Sequence, residues 1–124
     1  MRGAIGIAGI AWSWFDVGIM YLHGRGARYD WDEHNQGHLA AHHVDPTEVE
    51  EVLANGPIRV ETRTDARSGE ERTLELGHTN AGRILFVAWT RRGKLKRPVT
   101  AFDANRKTRA AYQRKRNEEN QQHN

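Results

Sequence analysis

Histidine and arginine are the residue types in this 124-residue chain whose spacing is best suited to chemistry. His34, His38 and His42 are four residues apart, which would align their imidazoles along one side of a helix. Imidazole titrates near neutral pH and can move a proton between a ribose hydroxyl and a leaving oxygen. The same stripe also suits a metal ion or ordinary surface histidines, so the spacing alone leaves three interpretations open.

Arginine recurs in the segments that predict strands. Arg72 and Arg83 each open a strand, and Arg97 lies within another. A guanidinium group can clamp a phosphate through two hydrogen bonds and can stabilise the extra charge of a pentacoordinate phosphorus without a metal. Arginine is also common on exposed sheet faces, so each residue by itself is a weak indication of phosphate chemistry.

Several other kinds of site are excluded or unsupported. The absence of cysteine excludes disulfides, zinc-thiolate sites and thiol nucleophiles. The sequence contains no P-loop, no G-x-S-x-G and no H-E-x-x-H motif. Since no matching carboxylate accompanies the histidine stripe, we predict neither a metal nor another cofactor.

Charge is distributed unevenly along the chain. The formal net charge is +3, but residues 32–51 hold six acids and no Lys or Arg, whereas residues 104–116 hold six Lys and Arg and no acid. A helix with that much positive charge suits the phosphates of RNA or an acidic protein partner. The alternative is a solvated helix face that has no partner.

A single domain is predicted over residues 28–116. The preceding residues, 1–27, are an apolar, glycine-rich extension that we place outside the domain. Gly3–Leu22 is long enough to span a bilayer, which takes about 20 residues. Its glycines and Asp16 disfavour such a span, so a membrane partner is not expected. Residues 117–124 are polar and predict a disordered tail.

Capping signals predict two helices at the start of the domain. The first follows a short strand at Tyr29–Trp31 and covers residues 32–43. The second begins with Asp45 as N-cap, Pro46 at the first helical position and Glu48 in the capping-box position.

Four antiparallel strands are predicted next. The segments 58–60 and 74–76 alternate apolar and polar residues, as half-buried strands do. Residues 84–89 are almost all apolar and predict a central strand. The last strand, 95–102, contains Pro98, which cannot donate a ladder hydrogen bond and therefore predicts an edge position or a bulge.

A C-terminal helix completes the predicted domain. Asp103 is expected to cap it, and it runs from Ala104 to about Arg116. The order of elements predicts an α+β fold, in which two N-terminal helices and one C-terminal helix pack on an antiparallel sheet.

Six short segments, in this order and at this spacing, carry a family resemblance: Tyr29–Glu33, His38–Val44, Gly69–Arg72, Gly82–Val87, Arg97–Ala101, and Arg106-Lys107 with Tyr112. Together they resemble the BrnT family of type II toxins over about residues 28–116. The resemblance implies a RelE-like fold and a metal-independent endoribonuclease that cleaves mRNA and inhibits translation in the cytoplasm. It also implies neutralisation by a BrnA-like antitoxin in a heterotetramer, with DNA contacted only through the antitoxin.

Matching the family motifs position by position gives the candidate site. His42 matches the family's Lys-His-Gly histidine, Arg72 its Gly-Glu-x-Arg arginine, and Arg97 the first arginine of its Arg-x-Ile-Ser-Ala-Arg strand. We predict these three as catalytic. With the arginine and charge patterns, the resemblance also predicts a set of substrate-binding residues: Arg83, Thr100, Arg106, Lys107, Arg109 and Tyr112.

Three positions depart from the family pattern. Ala41 stands where lysine is usual, Phe102 replaces the second arginine of the Arg-x-Ile-Ser-Ala-Arg strand, and Thr108 stands where a glutamate often lies. Two positive charges are thereby missing from the implied site, and their loss would slow catalysis. The alternative function is therefore a weak or inactive relative that binds an antitoxin or RNA without cutting it.

Overall fold

The computed structural model describes residues 28–122. The unit Trp31–Asn124 holds every helix and sheet strand of the described residues. In chain order these are α1 (Glu33–Ala40), α2 (Pro46–Ala54), β1 (Ile58–Thr64), β2 (Glu71–His78), β3 (Ile84–Arg92), β4 (Leu95–Asp103) and α3 (Arg106–Gln122). This confirms the predicted α+β class, with two helices before the sheet and one after it.

The predicted N-terminal features are only partly within the described residues. At Tyr29–Trp31 a single bridge residue, Tyr29, takes the place of the expected strand. Within residues 28–122, no helix has the length and apolarity needed to cross a membrane. The apolar segment Gly3–Leu22 lies outside the described residues.

The four strands form an antiparallel meander in the order β1-β2-β3-β4. β3 lies between β2 and β4, as its apolar sequence predicts, and Leu85 and Val87 are fully buried. β1 is an edge strand whose residues after Ile58 are all exposed, and its pairing with β2 is interrupted between Arg59 and Glu61. Val60 is therefore 46% exposed, which corrects the expectation of a half-buried alternation there.

β4 is the other edge, and it contains a bulge. Thr100 pairs with Ala88 but Pro98 pairs with Trp89, so Val99 is an extra residue on the β4 side. Pro98 thus satisfies both parts of its prediction, an edge strand and a bulge. The bulge also changes which face of the sheet the later residues of β4 occupy.

Helices cover both faces of the sheet. Gly77 of β2 is so close to α2 that an added Cβ would lie 2.9 Å from a methyl carbon of Val52. Gly77 pairs with Leu85, so α2 covers the face that carries Leu85. On the opposite face, Tyr112 of α3 packs with Ile84 of β3 in a core cluster with Leu76 and Ala104.

The first two helices begin as predicted, and the first ends early. The Asp45 amide donates to Glu48 at the start of α2 (3.0 Å), as in a capping box. α1 ends at Ala40 rather than at residue 43, because His43 has a left-handed backbone (φ 58°). The Val44 amide then donates to the Leu39 carbonyl (3.1 Å), which closes the helix.

α3 differs from its prediction at both ends. Asn105, not Asp103, caps it: its side-chain oxygen accepts from the Thr108 amide at 2.8 Å. At the other end, residues 117–122 are helical instead of belonging to a disordered tail. Glycine and proline are absent from Arg106–Gln122, and Glu118 and Glu119 follow Arg114 and Lys115 at the i+4 spacing that supports a helix.

Candidate active site

One row of side chains crosses three strands. Thr90 of β3 pairs with Arg72 of β2 on one side and with Arg97 of β4 on the other. Side chains of directly paired residues project from the same face, and neighbouring strands lie about 4.8 Å apart. The two arginines are thus on one face, roughly 10 Å apart at the backbone, although they are distant in sequence.

The bulge in β4 adds Thr100 to this face. Without the extra residue, Arg97 and Thr100 would point to opposite faces, because side chains alternate along a strand. Thr100 instead pairs with Ala88, two residues before Thr90, and so shares the face of Arg97. A cavity of about 340 Å³, here named the arginine cavity, opens there and is lined by His34, Asn35, His38, Glu70, Arg72, Thr90, Arg92, Arg97, Pro98, Val99 and Thr100.

Asn35 fixes α1 at one wall of the arginine cavity. It is only 2% exposed, and its side-chain amide donates to the Pro98 carbonyl at 2.9 Å. Its side-chain oxygen accepts from the Asp32 amide at 2.8 Å, which caps the helix. One residue therefore ties the first turn of α1 to the bulged part of β4.

Asp32 links the same helix start to a cavity arginine. One carboxylate oxygen accepts from the Asn35 amide (3.0 Å), and the other is 3.0 Å from a terminal nitrogen of Arg97. Partial burial works to raise the pKa of Asp32, but the hydrogen bond from Arg97 and those from the helix amides hold it below its ordinary value. The carboxylate therefore stays charged at neutral pH and orients Arg97, whose side chain is 12% exposed.

A second carboxylate lies between two other arginines of the cavity. Glu70 is 3.3 Å from the Arg72 Nε atom and 3.2 Å from a terminal nitrogen of Arg92. An anion is thus already accommodated between these guanidinium groups, which shows that they can converge on one negatively charged group.

The histidines divide between the cavity and its surroundings. His34 and His38 line the cavity, with ring centroids 6.3 Å apart. His42 is outside the lining residues, because it lies in the turn after α1, where its ring centroid is 6.5 Å from that of His38 and 6.2 Å from that of Phe102. Among residues 28–122, no group of three or more His, Cys, Asp or Glu is arranged to hold a metal ion.

Arg83, predicted as a substrate-binding residue, is engaged elsewhere. It makes a two-pronged contact with Asp103 (2.9 and 3.0 Å) and also donates to Glu48 (3.0 Å) and to the His43 carbonyl (2.8 Å). Its hydrogen bond to Asp103 lowers the pKa of that carboxyl group and raises the pKa of Arg83. Arg83 therefore connects α2, the turn after α1 and the end of β4. We leave it out of the proposed site.

The predicted residues of α3 are of two kinds. Tyr112 is 4% exposed, and its hydroxyl is 2.8 Å from the Nδ1 atom of His78. Tyr112 therefore serves as a core residue, and its burial raises its pKa. Arg109 donates to the Ala104 carbonyl at the start of the helix (2.6 Å), while Arg106 and Lys107 are exposed.

A second cavity, of about 360 Å³, is lined by residues that include Arg59, Thr73 and Trp89. Next to it Glu75 is buried, but it already accepts from the Trp89 indole (2.9 Å) and lies 3.5 Å from Arg59. Carboxylates are present at both cavities, but the lining of the arginine cavity holds three arginines and two histidines against one carboxylate, Glu70.

Most residues that line the cavity were not predicted as site residues, and His38, Arg92 and Asn35 are three of them. The four-residue histidine spacing was a usable signal for His38, since it placed all three imidazoles on one side. Arg92 precedes a turn, where arginine is common, and the role of Asn35 depends on a hydrogen bond to a residue 63 positions away.

The chain matches a family model. A family model described as "Ribonuclease toxin, BrnT, of type II toxin-antitoxin system" matches residues 31–108, more than half of the chain. No curated protein matches. The matched region runs from the start of the described domain to the first turn of α3 and includes every residue that lines the arginine cavity.

Proposed function

Because the chain belongs to the BrnT family of ribonuclease toxins of type II toxin-antitoxin systems, we propose that it is a metal-independent endoribonuclease that cleaves mRNA in the arginine cavity. The observation that carries this proposal is the Arg72-Thr90-Arg97 row with His38 at the adjoining wall. Positive charge and a proton-transfer group meet there in one concave site.

The arginines would bind the scissile phosphate. As the 2'-oxygen attacks phosphorus, negative charge increases on the phosphate oxygens, and guanidinium groups stabilise that charge as a bound metal would. Arg72 and Arg97 approach from opposite sides of Thr90, so both can contact one phosphate group. Thr100, on the same face, would add a hydroxyl donor.

An imidazole would move the protons. A base takes the proton of the ribose 2'-hydroxyl, the 2'-oxygen forms a bond to phosphorus, and the bond from phosphorus to the 5'-oxygen breaks with proton donation to that oxygen. The products are a 2',3'-cyclic phosphate and a 5'-hydroxyl. The sequence predicted His42 for this step, and the geometry favours His38 because it lines the cavity.

RNA bound in the cavity would continue toward α3. Ile84 packs against Tyr112 of α3 and lies on the same face of β3 as Thr90, since the two are six residues apart along the strand. The exposed Arg106 and Lys107 at the start of α3 therefore border the face that holds the cavity. This arrangement supports an RNA path from the cavity to the basic helix.

The partner follows from the family. A type II toxin is paired with an antitoxin, and we propose a BrnA-like antitoxin in a heterotetramer. DNA would be contacted only through that antitoxin, and an mRNA substrate implies action in the cytoplasm.

The second candidate function, binding without cleavage, is favoured by one observation. Arg72 and Arg97 already contact carboxylates, Glu70 and Asp32, which an RNA phosphate would have to displace or join. The missing positive charges at Ala41 and Phe102 point the same way.

Incubation of the purified full chain with an mRNA in EDTA tests both functions. Cleavage to fragments with 2',3'-cyclic phosphate ends, reduced about 100-fold or more in His38→Ala, supports the nuclease. His43→Gly is the matched control, since it removes a neighbouring imidazole from a left-handed position that glycine adopts readily. A mobility shift without fragments supports the binding module.

A further inference from the structure

An exposed aromatic side chain lies between the arginine cavity and α3. Phe102 of β4 is 37% exposed, and apart from Val60 it is the only large hydrophobic residue of the described part of the chain that is exposed to this extent. The site proposed above gives it no role. The family motif that this segment resembles has an arginine here, so relative to that motif an aromatic ring stands in place of a charge.

The position of Phe102 follows from the pairing of β4. Thr100, which lines the arginine cavity, precedes Phe102 by two residues and so shares its face, roughly 7 Å away along the strand. Phe102 pairs with Phe86, and Phe86 packs against the core cluster of Tyr112 in α3. The ring therefore lies on the path between the cavity and the basic helix.

Neighbouring rings support Phe102 without covering it. Its centroid is 5.4 Å from that of Phe86, with a tilted interplanar angle of 31°, within the range of about 4.5–7 Å of aromatic pairs. The exposed ring of His42 is 6.2 Å away at 50°, on the side of α1. Phe86 and His42 thus restrict the rotation of Phe102, and part of its surface faces solvent.

We propose that Phe102 is a stacking platform for an unpaired nucleobase of RNA whose phosphate is held in the arginine cavity, with His42 beside that base. This inference rests on the proposed function and adds a base-binding subsite to it. Aromatic side chains combined with a basic groove are the common means of binding single strands, because every base has a face that can stack. Since stacking reads no base edge, the platform tolerates any base.

Charge complementarity identifies the occupant. Arg97 and Thr100 of the cavity precede Phe102 along β4, and the exposed Arg106 and Lys107 follow it at the start of α3. A polyanion that contacts both groups must pass the ring, and among polyanions a single-stranded nucleic acid also carries flat aromatic groups at every repeat.

The test measures the affinity of the full-length chain for a fluorescent single strand of 2'-O-methyl RNA, which lacks the attacking hydroxyl. Phe102→Ala and Phe102→Leu should weaken binding by roughly 5- to 100-fold, the usual effect of removing one stacked ring. Phe102→Tyr should bind within about twofold of the unchanged chain. Val60→Ala, at the other exposed hydrophobic residue, is the matched control and should have no effect.

An abasic scan of the same strand isolates the stacked base. For the unchanged chain, one abasic position should weaken binding as strongly as Phe102→Ala does, and that position should have no further effect in Phe102→Ala. Thermal unfolding of each variant checks that it is folded.

The outcomes separate this inference from the proposed function. If the chain binds and cleaves RNA but Phe102→Leu binds as tightly as the unchanged chain, the platform is wrong and the nuclease stands. If every abasic position affects Phe102→Ala and the unchanged chain equally, the platform is also wrong. If the unchanged chain does not bind RNA, both proposals are wrong.

Discussion

Arginines lie at opposite ends of β3, and they make ion pairs in different surroundings. Arg83, directly before the strand, holds two carboxylates and a backbone carbonyl that come from separate elements. Near the other end, Arg72 and Arg97 flank Thr90 and line a cavity. A salt bridge alone therefore does not distinguish an arginine that joins elements of the fold from one that lines a cavity.

The difference lies in what surrounds each guanidinium group. The partners of Arg83 converge on it from α2, the turn after α1 and β4, so that it joins three parts of the fold. The partner of Arg72, Glu70, lies in the turn before β2 and is shared with Arg92. A ligand phosphate can compete with Glu70 for Arg72 and Arg92 without separating elements of the core.

The largest expected effect is on cleavage by the cavity arginines. Arg97→Ala and Arg72→Ala should each reduce the cleavage rate by about 10² to 10³, the usual result of removing one charge-stabilising donor. Arg97→Lys should retain only part of the cleavage rate, since lysine keeps the charge but not the two-pronged geometry. Single-turnover cleavage of an RNA oligonucleotide measures this.

Arg59→Ala is the control, because Arg59 pairs with Glu75 on the opposite face and its loss changes net charge equally. Equal losses in Arg59→Ala and Arg97→Ala would show that the cavity has no special role.

The next largest effect is on the free energy of unfolding, at Arg83. Arg83→Ala should reduce the free energy of unfolding by about 2 kcal/mol, between the values for exposed and buried ion pairs, because two carboxylates lose their partner. Arg63→Ala, at the exposed Arg63-Glu61 pair, should cost less than about 0.5 kcal/mol. Urea unfolding measures both. A cost of Arg83→Ala no larger than that of Arg63→Ala would contradict the crosslink.

A smaller effect is expected from the carboxylate in the cavity. Glu70→Gln should strengthen RNA binding about fivefold, since it removes a negative charge that competes for Arg72 and Arg92 and that repels phosphate by roughly 1 kcal/mol. Glu71→Gln makes the same charge change one residue away. Fluorescence anisotropy at fixed salt measures both affinities, and weaker binding by Glu70→Gln would mean that Glu70 orders the arginines instead of competing for them.

The smallest effect is the dependence of stability on pH at Asp103. The hydrogen bond from Arg83 holds the pKa of Asp103 below its ordinary value of 3.8, so the folded state binds fewer protons there than the unfolded state. The stabilisation is present above about pH 3.8 and is lost as the pH falls through the lower folded pKa. It should be less than about 1 kcal/mol, because the side chain is 56% exposed.

Chemical unfolding between pH 6 and pH 2.5 measures this contribution. Asp103→Asn should be less stable at pH 6 and should lose less stability on acidification. Identical pH profiles for the two proteins would contradict the assignment.

The fold was largely predictable because its signals are local. Asp45, Pro46 and Glu48 mark the start of α2 within four residues, and the apolar run of β3 marks a central strand. The errors occurred where local signals competed. The Asp103 side chain could accept a helix amide, but it accepts from Arg83 instead, and Asn105 caps α3.

The site was predictable in part, and the family resemblance carried most of it. It selected Arg72 and Arg97, which the structure brings to one row. It also selected His42, which does not line the cavity, and the predicted substrate-binding set included Arg83, whose partners come from positions up to 40 residues away. No sequence pattern fixes such contacts, nor the register that places Thr100 beside Arg97.

The close packing at Gly77 is linked to the ion pair between Arg83 and Glu48. With a methyl group at this position, the backbone and side chain of Val52 would have to move, and Val52 belongs to the helix that presents Glu48 to Arg83. An added methyl group on the buried side of β2 would thus weaken the Arg83-Glu48 ion pair. Gly77 therefore determines how closely α2 packs on the sheet, and it should be kept when α2 is redesigned.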